Sequence, residues 1–296
     1  KSLRRTKTDP IDAHNIAQYL MTVEYKPYPP SFYHMDKLKS LTRFRDSLVR
    51  QRSRQLVELT NITDKVFPEF KPFFGGKFSA TALYILSNYQ SPEKIANMNS
   101  KSYDMLRRKS RGKFSMVKFA QLKTLAKNTV GRTDDFLLSQ MEITLDIYSQ
   151  LDSKIDEVEM LIVDCIRGIN PPILSIPGIG ALSAAVILSE YGDFSRYENP
   201  SKMLSFAGLE PSHYQSGQSE CNGHMVKHGS SYLRYALMNA CLPLTVNEPV
   251  FAEYYAKKRA EGKPHRVAMT HVAKKLLRVI YTLQTKNIPY DANLIQ

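Results

Sequence analysis

The fold is decided by residues 36–66, which read DKLKSLTRFRDSLVRQRSRQLVELTNITDKV. Apolar side chains recur in this stretch at intervals of three and four, the spacing of one face of a long α-helix. They are Leu38, Leu41, Phe44, Leu48, Leu56, Leu59, Ile62 and Val66. Because the apolar stripe is broken at Arg52, the helix resembles a coiled-coil strand without being a regular one.

A second long helix is predicted between Asp134 and Arg167. Its apolar residues are spaced in the same way at Leu137, Met141, Leu145, Tyr148, Leu151, Ile155, Val158 and Ile162. Each helix has one apolar face to bury, so we expect the two to pair antiparallel, either within one chain or between two chains.

The composition indicates a polyanionic partner. The chain has 296 residues and a net charge of +13, and such an excess favours nucleic acid, since phosphate contacts dominate its affinity. A membrane surface is the weaker alternative, because no basic amphipathic helix stands apart from the rest and no apolar run is long enough to cross a bilayer. The three cysteines form no disulfide framework, which favours a reduced, cytoplasmic setting.

The pattern predicts a mainly α protein with three regions. Residues 1–35 hold one helix and a proline-rich linker, and residues 36–169 hold the long helices with a basic helical insert at about 68–133. Residues 170–296 form a compact helical domain.

The insert places five basic residues beside Phe114 and Phe119, which predicts a surface that faces nucleic acid, although a solvated face is the alternative. The basic residues are Arg107, Arg108, Lys109, Arg111 and Lys113.

The compact domain opens with a glycine-rich turn, Ile176–Gly180, followed by a helix of small residues. This pattern is typical of a helix-hairpin-helix, in which the turn approaches a DNA backbone and the next helix offers free amides to a phosphate. Gly178 and Gly180 are therefore candidate nucleic-acid contacts. The alternative is a tight turn between two packed helices.

Two further patterns indicate candidate reactive or metal-binding sites. Asp9 and Asp12 are three residues apart, so both carboxylates lie on one helix face, where they either bind a divalent cation or complement the helix dipole. Residues 208–237 form a polar, hydroxyl-rich segment between apolar helices, either a long connection or a reactive loop. It contains Ser216 in a Ser-Gly pair, with Lys227 and Arg234 placed to meet a phosphate. Zinc is a weaker alternative for the segment, through His213, Cys221, His224 and His228.

Two stretches together resemble the transposases of insertion-sequence family one-ten. They are RRTKTDPIDAHNIAQYL at residues 4–20 and IPGIGALSAAVILSEYGDFSRYENPSKMLSFAGLEPSHYQSGQSECNGHMVKHGSSYLRYAL at residues 176–237. The resemblance covers about the first 25 residues, the long helices and roughly residues 170–280, and the order of the motifs is specific.

The resemblance implies a RuvC-like DEDD domain that binds Mg²⁺ through four acidic residues. Its Thr-Asp-x-x-Asp-Ala motif matches Asp9 and Asp12, whereas the first aspartate and the glutamate would lie upstream of this chain. The expected fold is therefore the C-terminal remnant of a RuvC-like α/β domain, a long antiparallel helix pair, and a C-terminal domain with a helix-hairpin-helix.

The resemblance also implies that Ser216 is the nucleophile. The downstream Gly…Lys-x-Gly…Leu-Arg pattern is matched by Gly223, Lys227, Gly229, Leu233 and Arg234, while Ser230 stands where the family commonly has asparagine. The implied reaction is DNA strand exchange through a phosphoserine, guided by a structured RNA and performed in the bacterial nucleoid by a homodimer or dimer of dimers. The alternative is a non-catalytic helix-hairpin-helix module that only binds nucleic acid.

Overall fold

A computed structural model describes residues 9–22, 31–216, 219–225 and 228–294. The α-helices in these ranges are α1 (Asp9–Thr22), α2 (Ser31–Val66), α3 (Phe70–Phe73), α4 (Ala80–Tyr89), α5 (Pro92–Ala96), α6 (Ser100–Lys109), α7 (Met116–Lys127), α8 (Asp135–Ile169), α9 (Ala181–Tyr191), α10 (Pro200–Ala207), α11 (Ser231–Asn247), α12 (Pro249–Ala260) and α13 (His265–Lys286). Short 3-10 helices cover Pro172–Ser175, Phe194–Arg196 and Ala292–Leu294. None of the described helices combines the length and apolarity needed to span a bilayer.

The helices α2 and α8 form the long antiparallel pair that the sequence predicts, within one chain. Two ion pairs fix the direction: Arg45 contacts Glu159, and Arg52 contacts Asp152 further along α2 and nearer the start of α8. The second pair lies where the apolar stripe of α2 is interrupted. A cation that breaks the stripe is thus matched by an acid from the facing helix.

Most predicted apolar positions of the pair are buried, from Leu38 to Val66 on α2 and from Met141 to Ile162 on α8. Phe44 is an exception, since it is 53% exposed, and Thr42 is buried in its place. The reason is a third neighbour, because α2 packs on α9 as well as on α8, and the Thr42 hydroxyl lies 3.4 Å from that of Ser189.

Two hydrophobic cores share this helix pair. One core joins the first half of α2 and the second half of α8 to α9–α13, and the other joins the remaining halves to the insert helices α3–α7. Phe114 and Phe119 belong to the insert core, with 4% and 7% of their surface exposed. The expectation that these rings alternate with cations on a nucleic-acid surface is therefore wrong, because the core of the small insert requires them.

The polar segment expected to be a loop contains a β-hairpin. The strands β1 (Pro211–Ser216) and β2 (Ser219–Met225) pair antiparallel, with an irregularity between Pro211 and His213. Within the part of the chain that the structure describes, this hairpin is the whole sheet. The mainly α prediction is confirmed, and of the expected RuvC-like α/β remnant the structure describes the helix α1.

Candidate active site

Ser216 occupies one end of the hairpin. It is the last residue of β1 and pairs with Ser219, the first residue of β2. At the opposite end of the hairpin, α10 leads into β1 and residues 228–230 lead into α11. The position of Ser216 therefore depends on how this opposite end, the hairpin foot (residues 206–210 and 228–234), is held.

A close backbone crossing holds the hairpin foot. A Cβ atom added to Gly229 would lie 2.0 Å from the carbonyl oxygen of Phe206 and 2.9 Å from the carbonyl carbon of Ala207. Gly208 ends α10 in the left-handed conformation, with φ of 64°. The chain therefore turns out of α10 at one glycine and returns past the same point at another, where a side chain has no room.

Arg234 ties the two sides of the foot together. Its Nη1 donates hydrogen bonds to the carbonyl oxygens of Ala207, at 3.1 Å, and Gly229, at 3.0 Å. One guanidinium nitrogen thus contacts both chain segments that lead to the hairpin. The expected contact of Arg234 with a phosphate stays a prediction, and the structure adds this positioning role.

A buried carboxylate joins the foot to the long helix α2. The Glu190 side chain is only 1% exposed, and it accepts hydrogen bonds from Arg43 Nε at 2.8 Å and Nη2 at 3.2 Å. Ser230 Oγ donates to the same carboxylate at 2.8 Å and accepts from Leu233 N at 3.2 Å. Ser230 therefore caps α11 and also fixes its start to α9 and α2.

The surroundings of Glu190 stabilise its charge. Burial alone would raise the pKa of this carboxyl, but the hydrogen bonds from Arg43 and Ser230, with the nearby charge of Lys39, hold the pKa below its ordinary value. A buried carboxylate is costly unless it is paired and hydrogen-bonded. Arg43 in turn lies over the Tyr232 ring, 5.1 Å from its centroid, so one arginine links α9 and α11.

Asp9 and Asp12 lie in the first turn of α1, as predicted. They supply two carboxylates, and among the described residues no group of three or more His, Cys, Asp or Glu side chains comes together to hold a metal ion. Two carboxylates are a partial ligand set for Mg²⁺, which demands nearly octahedral oxygen coordination. The residues in hand thus fit part of a metal site.

The predicted helix-hairpin-helix differs from the structure. The element directly before the turn is the 3-10 helix Pro172–Ser175 and not an α-helix, because Pro171 and Pro172 end the long helix. Gly178 has φ of 88°, and a Cβ there would lie 3.2 Å from Leu244 N. Gly178 therefore serves the packing of the turn against α11, whereas Gly180 caps α9 with open space around it.

The insert presents its basic residues to solvent. Arg107, Arg108 and Lys109 form the last turn of α6, and Arg111 and Lys113 follow in a tight turn. All five are exposed. Their predicted contact with nucleic acid stays a prediction. Lys227, the remaining predicted phosphate partner, lies outside the described residues.

Two family descriptions match the chain. The transposase family IS116/IS110/IS902 matches residues 170–256, which include the hairpin and its foot, and the DEDD transposase family of IS110 matches residues 1–68. The chain belongs to the IS110 family of insertion-sequence transposases.

Curated relatives of the same family extend over most of the chain. It is 26% identical to the IS116 44.8 kDa protein of Streptomyces clavuligerus, over 94% of the chain and 71% of the relative. It is 25% identical to the IS900 42 kDa protein of Mycobacterium paratuberculosis, over 96% of the chain and 73% of the relative. A pilin gene-inverting protein of Moraxella bovis is 29% identical over 50% of the chain and 47% of its own length.

Glu190 is the residue that sequence reasoning missed. It is the one charged residue of α9, in the run ALSAAVILSEY. A lone acid in an apolar helix is a signal for a buried, paired carboxylate, since an unpaired charge there would be too costly. This signal predicts that Glu190 is buried, but it does not predict which residue pairs with it, because Arg43 lies 147 residues away in the sequence.

An Arg43→Met variant should be less stable at neutral pH by about 2 kcal/mol, because it leaves the Glu190 carboxylate buried with fewer partners. The cost is below that of a fully buried pair, since Arg43 is 46% exposed and Lys39 remains. Urea unfolding measures it. Arg50→Met is the matched control, because Arg50 is 65% exposed in a local pair with Asp46, and such pairs contribute under about 0.5 kcal/mol.

The effect of Arg43→Met should also depend on pH. In the wild type the folded-state pKa of Glu190 is lowered, so its contribution is present at neutral pH and is lost as the pH falls through that pKa. Without Arg43, burial dominates and raises the folded-state pKa, so protonation relieves the buried charge. The stability difference between variant and wild type should therefore shrink from about pH 7 to about pH 4. A difference that grows on acidification would contradict this account of Glu190.

Proposed function

We propose that this chain is the DNA-joining part of an insertion-sequence transposase, with Ser216 as its nucleophile. The observation that carries the proposal is the hairpin foot: Arg234, Gly229 and the Glu190–Ser230 contact fix both ends of the segment that holds Ser216. A nucleophile must be held in register with its target to be effective. Membership of a transposase family supports the same function.

The proposed chemistry conserves phosphodiester bonds. Ser216 Oγ loses its proton and bonds to the phosphorus, the bond from phosphorus to the 3′ oxygen breaks, and that oxygen leaves as a 3′-hydroxyl after taking a proton. A 3′-hydroxyl from a second strand then attacks the phosphoserine and releases Ser216. Each step exchanges one phosphate ester for another, so no external energy source is needed. Lys227 and Arg234 are the proposed phosphate contacts, and since Arg234 lies at the hairpin foot, the opposite end from Ser216, its contact would be with another phosphate of the bound strand.

The DEDD family match indicates a divalent-metal dependence. Asp9 and Asp12 would hold Mg²⁺, together with acids that the described residues do not supply. When bound, the ion would neutralise charge on the phosphate. By the family resemblance, these acids act beside the serine of another subunit, which requires at least a dimer.

We also propose that a structured RNA guides the reaction and that the basic insert contacts nucleic acid. The exposed residues Arg107, Arg108, Lys109, Arg111 and Lys113, with the open turn at Gly180 and its neighbour Gly178, are the proposed contacts. One relative is named a pilin gene-inverting protein. Inversion of a gene is one outcome of DNA strand exchange, so this name supports the proposed reaction.

The second candidate function is a module that binds nucleic acid without cutting it. The observation in its favour is that the described residues bring together no more than the two carboxylates of α1 as a metal-ligand set. Both candidates share the basic surfaces, so nucleic-acid binding alone does not separate them.

Strand exchange separates the two candidates. The full gene product is incubated with a plasmid that carries the two element ends, its guide RNA and Mg²⁺, and recombinant junctions are counted by sequencing. We expect junctions with Mg²⁺ and none when a chelator removes it. Nucleic-acid binding without junctions in either condition would favour the binding module and contradict the enzyme.

A further inference from the structure

A cavity of about 500 Å³ lies between α12, α13 and the segment that follows α13. Its lining includes Tyr254, Lys257, Lys275, Arg278 and Asp291. A second cavity of about 530 Å³ adjoins it and shares Tyr254, Lys257 and Lys275. Three cations thus surround one connected hollow on the side of the domain formed by its last two long helices.

The cations of this hollow form no salt bridges within the described part of the chain, although the pKa of Glu261 is lowered by a hydrogen bond from Lys258 and also by the charge of Lys257. Among the described residues, none forms an ion pair with Lys257, Lys275 or Arg278. The larger groove of about 850 Å³ beside α2 is different, because its arginines at 45, 50 and 52 each contact an acid. Asp291 and Glu253 also line the hollow, so its three cations outnumber its two acids by one.

Aromatic rings hold the innermost cation without cancelling its charge. Lys275 Nζ lies 5.1 Å from the centroid of Tyr254 and 5.9 Å from that of Phe251. Lys258 Nζ lies 5.5 Å from the Tyr254 ring as well. A cation–π contact orients an ammonium group and leaves its full charge for an anion. Because the Tyr254 ring already contacts two lysines, the hollow suits phosphate groups better than stacked bases.

Titration of neighbouring groups is consistent with a positive potential here. Burial lowers the pKa of His271, and the charges of Lys258, Lys274 and Lys263 lower it further against the opposing charge of Glu261. Burial also lowers the pKa of Lys274, where Glu210 opposes the shift and Arg278 adds to it.

One further cation, Lys274, lies between the hollow and the hairpin foot. Lys274 interacts electrostatically with Glu210, the residue directly before β1. Arg278 lies one helical turn after Lys274, about 6 Å along the axis of α13. A strand that follows these cations would pass from the hollow to the hairpin foot and would then have to run along the hairpin to reach Ser216 at its other end.

We propose that the hollow between α12 and α13 binds the phosphodiester backbone of a nucleic-acid strand that extends from the serine hairpin, with Lys257, Lys275 and Arg278 as its phosphate ligands. The proposal rests on the proposed function, since it assigns a path to the nucleic acid of that same reaction. Backbone contacts of this kind position a strand without reading its sequence.

The test is a binding titration of the whole chain, followed by fluorescence anisotropy, with a labelled DNA duplex and a labelled RNA hairpin of equal length. In a Lys257→Gln/Arg278→Gln variant we expect affinity to fall on the order of 10-fold, and the slope of log affinity against log salt to shrink by about two. Both side chains are exposed and form no salt bridge with a described residue, so we expect the substitutions to leave the fold intact, which urea unfolding of the variant checks.

Two further variants control for net charge and for side-chain identity. Lys154→Gln/Arg167→Gln removes the same charge from exposed positions on α8 and should bind as the wild type does. Lys257→Arg/Arg278→Lys keeps both charges and should retain binding. The probe that loses affinity, DNA or RNA, identifies which nucleic acid occupies the hollow.

The outcomes separate this inference from the proposed function. If the hollow variant binds both probes as tightly as the wild type, the hollow is not a phosphate site, and the proposed function stands. If the wild type binds neither probe, the nucleic-acid part of the proposed function fails together with the inference.

Discussion

A Ser216→Ala variant of the full gene product should produce no strand-exchange junctions, while it binds DNA with the affinity of the wild type. Removing the hydroxyl removes the atom that bonds to phosphorus, so the covalent intermediate cannot form at this position. Losses of this kind reach several orders of magnitude in rate for serine enzymes. The measurement is a count of junctions by sequencing, with DNA affinity measured on the same preparations.

Ser219→Ala is the matched control for this prediction. Ser219 pairs with Ser216 across the hairpin, so it tests the same local structure and the same loss of one hydroxyl. We expect the Ser219 variant to retain strand exchange. Junctions that persist in Ser216→Ala, or that vanish in Ser219→Ala alone, would remove Ser216 from its proposed role.

A Gly229→Ala variant should be destabilised by about 3 kcal/mol or more, the cost of overpacking a site that cannot relax. The new methyl carbon would lie 2.0 Å from the Phe206 carbonyl oxygen. Both atoms at this contact are tied to the backbone, so the two sides of the hairpin foot must separate. Urea unfolding measures the loss.

Gly168→Ala is the control with the opposite sign. Gly168 lies within α8, and a Cβ there would meet nothing within 4 Å. Alanine in a helix is favoured over glycine by about 1 kcal/mol, so this variant should be slightly more stable than the wild type. If Gly229→Ala proves as stable as Gly168→Ala, the close crossing at the hairpin foot is not a real constraint.

The long helix pair follows directly from local spacing. Apolar residues at intervals of three and four place α2 and α8 face to face, and most of these residues are buried as expected. The error at Phe44 arises because α2 has a second partner, α9, which turns Thr42 inward. Spacing along one helix reports its main apolar face but not the direction from which a third helix approaches.

The hairpin was hidden for a different reason. Its strands read PSHYQS and SECNGHM, and neither shows the alternation of apolar and polar residues that identifies a half-buried strand. The two segments are strands because their backbones pair with each other across the hairpin. Polar strands with a Ser-Gly pair between them therefore resemble a loop when only local sequence is considered.

Some residues of the candidate site could be predicted from the sequence, and others could not. Ser216, Asp9 and Asp12 are recognisable from short motifs and from family resemblance, whereas the residues that hold the hairpin foot depend on distant partners. Glu190 needs Arg43, 147 residues away, and Ser230, 40 residues away. Such contacts are set by tertiary packing, which a pattern of neighbouring residues does not encode.

The most direct test of the proposed function is the chemical identity of the protein–DNA link. The full gene product is incubated with a nicked DNA substrate that traps the covalent intermediate, then digested with protease and nuclease, and the peptides are sequenced by mass spectrometry. We predict a nucleotide phosphate on the peptide that contains Ser216, attached at that serine. A phosphate attached at another residue, or strand exchange with no covalent link, would contradict the central claim.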